Sequence, residues 1–300
     1  MNCKTETEFD LHRRQLREKL GITRLLQQRQ CVEVGELPLH TEYYHCSDEA
    51  PLLLFLPGIG TYVELYAELL HRLCTLGFNV VGVDLRGHGY SGGPRGLYRV
   101  EQVVSDVSEV IDHYRESTDQ PVYLYGYSIG ALLAVACAEA DARIEAVVCG
   151  TLLVPSLAPD IVHQLGWSWI WGSALLMPGV PLPMQSFIDY EQLLAGHPAG
   201  EEINSDPLVV FDYPLGTLSS LFTWHLGSLT RSYPYRGLIV HGDRDEVLPL
   251  SYSRRVQESL RQPFELEPVV GEGHMLPWDQ PTLLARLIAD WLHQGAVTKA

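Results

Sequence analysis

Cationic residues are scarce in this sequence. Its 21 Lys and Arg stand against 37 Asp and Glu, a formal net charge of −16. Such a chain repels phosphate backbones and anionic lipid headgroups, which argues against nucleic acid as a partner. No basic cluster for phosphate and no metal-ligand constellation stands out, so neither a cofactor nor a metal is expected. Cysteine is sparse too. None of the six (Cys3, Cys31, Cys46, Cys74, Cys137, Cys149) sits in a Cys-x-x-Cys pair. They read as free thiols in a reducing compartment, with Cys137 and Cys149 as small core residues in apolar runs. The charged N-terminal stretch lacks the apolar core of a signal peptide. The longest uncharged stretch, 161–188, contains Pro178, Pro181 and Pro183, and its helical part is too short to span a bilayer comfortably. With no repeat and no low-complexity tract, a soluble cytoplasmic globular protein is the expectation.

What is present is a rhythm. The 300 residues suffice for one large α/β domain with an insertion. Residues 9–30 read as a helix broken near Gly21, and 31–46 as an antiparallel hairpin at a sheet edge. Continuous apolar runs then alternate with helical spacing: strands at 51–56, 78–84, 122–125 and 145–149, helices at 62–76, 100–114 and 129–140. Runs of this kind fit strands buried on both faces, and the alternation means βαβ units in a mostly parallel sheet. The alternation stops near Leu153 and resumes near Thr230, with strands at 237–241 and 264–270 and helices at 252–261 and 281–293. The intervening segment shows no clear strand. It is expected to cover the carboxyl ends of the strands, where ligands bind in open α/β sheets. The organisation expected is thus an N-terminal helical segment (1–30), a core (31–152 and 231–300) and a cap (153–230).

Gly126-Tyr127-Ser128-Ile129-Gly130 follows an apolar strand and opens an apolar helix. That strand–turn–helix setting suits a nucleophile elbow, whose glycines permit the sharp turn and whose helix N-terminus faces a developing oxyanion. A serine hydroxyl needs a base, and among twelve histidines position selects His274, in the loop after the last strand. The imidazole needs an acid; Asp245 is the first choice and Asp243 the second, both following the preceding strand. Pro57-Gly58-Ile59-Gly60 follows the first buried strand and suggests the amides of Ile59 and Ile129 as oxyanion donors.

These segments, with Asp84-Leu-Arg-Gly-His-Gly-Tyr-Ser-Gly-Gly93, resemble the α/β-hydrolase superfamily, and are most similar to its monoacylglycerol lipases, lysophospholipases and serine aminopeptidase-like hydrolases. The resemblance implies the α/β-hydrolase fold: a mostly parallel central sheet flanked by helices, with a helical cap insertion. It implies Ser128 as nucleophile, His274 as base, Asp245 as acid and the Ile59 amide as an oxyanion donor. It also implies a structural role for His88. Where that family usually has His before the glycine, this chain has Pro57. The helix before Cys31 lies outside the resemblance; it packs on its own domain or docks on a partner subunit.

The cap crowds Trp167, Trp169, Trp171, Leu175, Leu176 and Met177 together. They read mainly as the small core by which a cap packs on the main domain, with an apolar acyl pocket or a membrane-facing surface as the less favoured reading. The function expected is hydrolysis of a small, mostly uncharged carboxylic ester with a lipophilic acyl group, through an acyl-enzyme. The same triad serves acyl transfer, amide or peptide cleavage, carbon–carbon bond cleavage or cofactor-free halide oxidation, and a non-catalytic ligand binder on this scaffold is the alternative of another class.

Overall fold

The structure is a computed structural model and describes residues 7–115, 119–184, 188–194, 197 and 199–297. Cys3 and part of the 153–230 segment lie outside that set.

The chain starts with α1 (Glu8–Lys19), opened by a capping box in which the Thr7 hydroxyl accepts from the Asp10 amide while Asp10 accepts from the Thr7 amide. The helix stops as expected before Gly21, at φ 70°, and a short 3₁₀ turn, Leu25–Gln28, follows. Then come β1 (Gln30–Val34), β2 (Leu39–Tyr44), β3 (Leu52–Leu56), α2 (Ala67–Thr75), β4 (Asn79–Val83), α3 (Val100–Tyr114), β5 (Val122–Tyr127), α4 (Ile129–Ala140) and β6 (Ile144–Gly150). Between β6 and the next sheet strand lie α5 (Ile161–Leu176), β7 (Pro181–Pro183), α6 (Tyr190–Leu193), α7 (Gly200–Asn204), β8 (Asp212–Pro214) and α8 (Leu215–Phe222). The chain ends with β9 (Arg236–Gly242), α9 (Leu250–Ser259), β10 (Phe264–Val269), α10 (Leu276–Asp279) and α11 (Pro281–Val297).

Eight strands form one sheet in the order β1-β2-β4-β3-β5-β6-β9-β10. β1 and β2 pair antiparallel at one edge, β2 runs antiparallel to β4, and the remaining pairs are parallel. β3 explains why the sequence signal is a solid apolar run. Leu52, Leu54 and Leu56 belong to the core on the α3 and α4 side, whereas Leu53 and Phe55 belong to the core shared with α2 and α11. Alternate side chains point to opposite faces and both faces are covered. The fold is that of an α/β-hydrolase.

Two expectations for 153–230 need correction. The segment does contain strands: β7 and β8 pair antiparallel, Leu182 opposite Tyr213. Three-residue strands carrying prolines show no alternation, which is why the sequence hides them. The apolar cluster on α5 is also not chiefly a packing core. Trp167 is half-buried and stacks on Phe222 with centroids 5.2 Å apart, but Trp169, Trp171, Leu175, Leu176 and Met177 are exposed. No helix among the described residues is long and apolar enough to cross a membrane.

Candidate active site

The carboxyl ends of β5, β9 and β10 converge on one edge of the sheet. Ser128 sits between β5 and α4 at φ 53° and ψ −120°, a backbone region a non-glycine residue occupies only when its surroundings force it. Those surroundings are specific. The Ser128 amide donates to the Gly150 carbonyl at 2.8 Å. A Cβ on Gly126 would lie 2.1 Å from the Gly130 oxygen, and one on Gly130 would lie 2.3 Å from the Leu56 oxygen. Both glycines of the motif are therefore required by close backbone approach.

The structure brings Ser128, His274 and Asp245 together. Ser128 Oγ lies 3.3 Å from His274 Nε2, and His274 Nδ1 lies 2.7 Å from Asp245 Oδ2. Asp245 also accepts from the amides of Val247 and Leu248, both at 2.8 Å, and from the Thr151 hydroxyl at 3.2 Å. Burial alone would raise its carboxyl, but the hydrogen bond and charge of His274 and the Leu248 amide outweigh it and hold Asp245 below its ordinary value. With Asp245 as acceptor, His274 carries its proton on Nδ1 and presents the Nε2 lone pair to Ser128. The loop is set from below by the Tyr127 hydroxyl, which donates to the His274 carbonyl at 2.9 Å. Asp243 is exposed and accepts instead from the Gly271 amide at 2.7 Å, so it braces the histidine loop from outside. His241 lies near Asp245 at 3.6 Å, but burial lowers its pKa and its nitrogens engage Ser253 and the Leu248 carbonyl.

Gly58 abuts the elbow: a Cβ there would sit 3.5 Å from Ser128 Cβ. This places the Pro57–Gly60 loop beside the hydroxyl, with Ile59 and Ser128 lining one cavity of about 70 Å³ together with Tyr127, Tyr190, Leu193 and Val247. Among the described residues, neither the Ile59 nor the Ile129 N–H has a protein acceptor outside its own element. A larger cavity of about 660 Å³ lies elsewhere, among Leu157, Trp167, Trp171, Phe222 and Arg255; it does not reach Ser128.

What the sequence did not reveal is the clamp on that loop. The Tyr190 hydroxyl donates to the Ile59 carbonyl at 2.9 Å, the Val210 amide donates to the Gly60 carbonyl at 2.9 Å, and the Gly60 amide donates to the Tyr213 hydroxyl at 2.7 Å. Tyr213 in turn meets His88 Nε2 at 2.6 Å, while His88 Nδ1 faces the Arg86 carbonyl at 3.0 Å. Burial pushes His88 down to about 4, so it is neutral near pH 7, donates from Nδ1 and accepts the Tyr213 proton at Nε2. His88 is thus part of the support of the loop and lies away from Ser128. No local signal marks Tyr190 or Tyr213, because their partners lie 131 and 153 residues away.

The chain is similar to several known proteins. The AB hydrolase superfamily protein YisY of Bacillus subtilis is 26% identical over 253 residues, 80% of this chain and 90% of that protein. Protein ABHD8 of mouse is 24% identical over 267 residues, 80% of this chain but 55% of the relative, so the chain spans little more than half its length. Among solved structures, the monoacylglycerol lipase of Paleococcus ferrophilus superposes with a TM-score of 0.69 at 23% identity, covering 86% of this chain and 98% of that one. A soluble variant of the monoglyceride lipase of Saccharomyces cerevisiae gives 0.70 at 15% identity, covering 89% and 94%. Residues 48–280, from the turn before β3 to the start of α11, match the family model described as serine aminopeptidase, S33. This chain therefore belongs to the serine aminopeptidase, S33, family of α/β-hydrolases.

Proposed function

We propose that this protein hydrolyses carboxylic esters through an acyl-enzyme, with Ser128 as nucleophile, His274 as base and Asp245 as the acid that orients it. The observation that carries the reading is the continuous line from Ser128 Oγ, 3.3 Å from His274 Nε2, to Asp245 Oδ2, 2.7 Å from His274 Nδ1. Ser128 attacks the ester carbonyl as His274 takes its proton, and the amides of Ile59 and Ile129 receive the oxyanion. The alcohol leaves with the proton from His274. A water activated by His274 then releases the acid and restores Ser128.

An ester fits better than an amino-terminal peptide. The described residues that line the cavity carry no carboxylate to receive an α-ammonium; they are Gly58, Ile59, Tyr127, Tyr190, Val247 and similar apolar or neutral groups. Two neighbours of the same fold are named lipases. A cavity of about 70 Å³ among the described residues suits a short apolar acyl chain. The 153–230 segment, whose Tyr190, Val210 and Tyr213 hold the Ile59–Gly60 loop, serves in this reading as a cap.

A fluorophosphonate probe is expected to label Ser128 in the folded protein, and p-nitrophenyl esters to be turned over with a preference for short acyl chains. Ser128→Ala is expected to lower turnover by a factor of about 10³ or more while leaving the fold intact. Absence of labelling at Ser128, together with no turnover of any ester in the series, refutes the reading.

A further inference from the structure

Cys31 takes no part in the chemistry at Ser128. It lies on β1, the exposed edge strand, where the antiparallel register sets it opposite Glu42 and sets Glu33 opposite His40. Residues two apart share a strand face, so Cys31, His40 and Glu42 meet on one side of the hairpin. One donor atom from each of the three lies within 4.8 Å of the others. Arg29, just before the strand, directs Nε at Cys31 Sγ and at Glu42 Oε1, each at 3.3 Å, and donates from a terminal nitrogen to Glu64.

The buried atoms of this cluster call for a proton at His40 Nε2. The Glu42 side chain is fully buried, and its Oε1 faces His40 Nε2 at 3.6 Å. Among the described residues neither atom has a hydrogen-bond partner. Two lone pairs facing each other in a buried site repel, whereas a proton on the imidazole makes the pair attractive. The guanidinium decides what the cluster accepts. A metal cation at its centre would meet Arg29 beside two of the three donor atoms. A thiolate would instead meet two cations, which is the setting of a reactive cysteine. Hydrogen bonding to His40 pulls the Cys31 thiol below its ordinary range; burial opposes this, Arg29 adds to it and Glu42 works against it. Burial would lower His40, but its interactions with Cys31 and Glu42, with the charge of Asp84, outweigh that and raise it to about 10. Tyr114, from α3, is another titratable group influenced by Cys31.

We propose that Cys31 is a modification site, an accessible thiol activated by Arg29 and His40 that reacts with electrophiles of the hydroperoxide class. The sulfur attacks one peroxide oxygen, an S–O bond forms and the O–O bond breaks. Cysteine is oxidised to the sulfenic acid, the peroxide is reduced to an alcohol or water, and the departing oxyanion takes its proton from the His40 imidazolium.

The test uses the full chain in brief, limiting exposures to iodoacetamide across a pH series, with mass spectrometry of each cysteine and the likewise exposed Cys46 as internal reference. Cys31 is expected to alkylate with a midpoint at least about one pH unit below that of Cys46, and so about tenfold faster near pH 6. After hydrogen peroxide, dimedone adducts are expected at Cys31 first. His40→Gln is expected to raise the Cys31 midpoint. A wild-type Cys31 midpoint at or above that of Cys46, or dimedone adducts first at Cys46, overturns the proposal without recourse to the variant. Protection of Cys31 by stoichiometric Zn²⁺, with thiolate-to-metal absorption in the Co²⁺ form, overturns it in favour of a metal site.

Discussion

At Ser128 the backbone is held at φ 53° and ψ −120°, a conformation costing on the order of 1–3 kcal/mol. The flanking glycines and the Gly150 carbonyl hold that strain, and the hydroxyl is presented to His274 in return. The same economy separates two aspartates only two positions apart. Asp245 collects four hydrogen bonds, one of them from His274, whereas Asp243 ties down the Gly271 amide at the surface. Asp245→Asn cannot hold the Nδ1–H tautomer of His274 and is expected to lower kcat/KM on esters by about 10⁴. Asp243→Asn keeps an acceptor for Gly271 and is expected to stay within a few-fold of wild type. Kinetics on both variants, each checked by circular dichroism, separates the two. A larger loss at Asp243→Asn than at Asp245→Asn would reverse the assignment of the acid.

At the scale of elements, the elbow and the Pro57–Gly60 loop are built by different means. The elbow is local: β5, two glycines and α4 contain nearly everything it needs, and for that reason the sequence reveals it. The loop is held by tyrosines from the 153–230 segment, and these were illegible. Tyr213 lies in a three-residue strand beside a proline, so no periodicity marks it, and its choice of Gly60 and His88 is made only by tertiary packing. The α5 cluster misled for a related reason. That helix is apolar nearly all round, so composition could not say which side faces the protein, and the structure buries only Ile170 fully. Tyr213→Phe tests the clamp. It leaves the Gly60 amide and His88 Nε2 buried without partners, with an expected loss of about 1–3 kcal/mol of stability. If Tyr213 also positions the loop, kcat falls about tenfold with KM nearly unchanged, because the donor is needed most in the transition state. A lower melting temperature with unaltered kcat would leave Tyr213 a structural role alone.

At the scale of the whole molecule, distant parts of the chain are joined through one buried carboxylate. Glu64, fully buried just after the Pro57–Gly60 loop, accepts from Arg13 and Arg17 of α1 and from Arg29, the latter two at 2.8 Å. Arg13 also reaches Asp206, at 2.6 Å, and Tyr62 bonds to both. The N-terminal helix therefore packs on its own domain and links the core to the 153–230 segment. Burial would raise the Glu64 carboxyl, but the Arg17 hydrogen bonds and the charges of the three arginines lower it to about 2 from 4.5. A carboxylate whose pKa falls on folding stabilises the native state fully above its unfolded value, and that contribution disappears as pH drops through the folded value. The window is thus from about pH 4.5 down to about 2, and the shift corresponds to about 3 kcal/mol. Glu64→Gln removes the titrating group while keeping its shape, so subtracting its stability from that of wild type isolates this one carboxylate from every other acid-sensitive group. Urea unfolding of both proteins is expected to show wild type the more stable at neutral pH, with the gap narrowing by about 3 kcal/mol across that acid window. A gap that stays constant from neutrality to the acid end would mean that Glu64 is not the charge on which the three arginines converge.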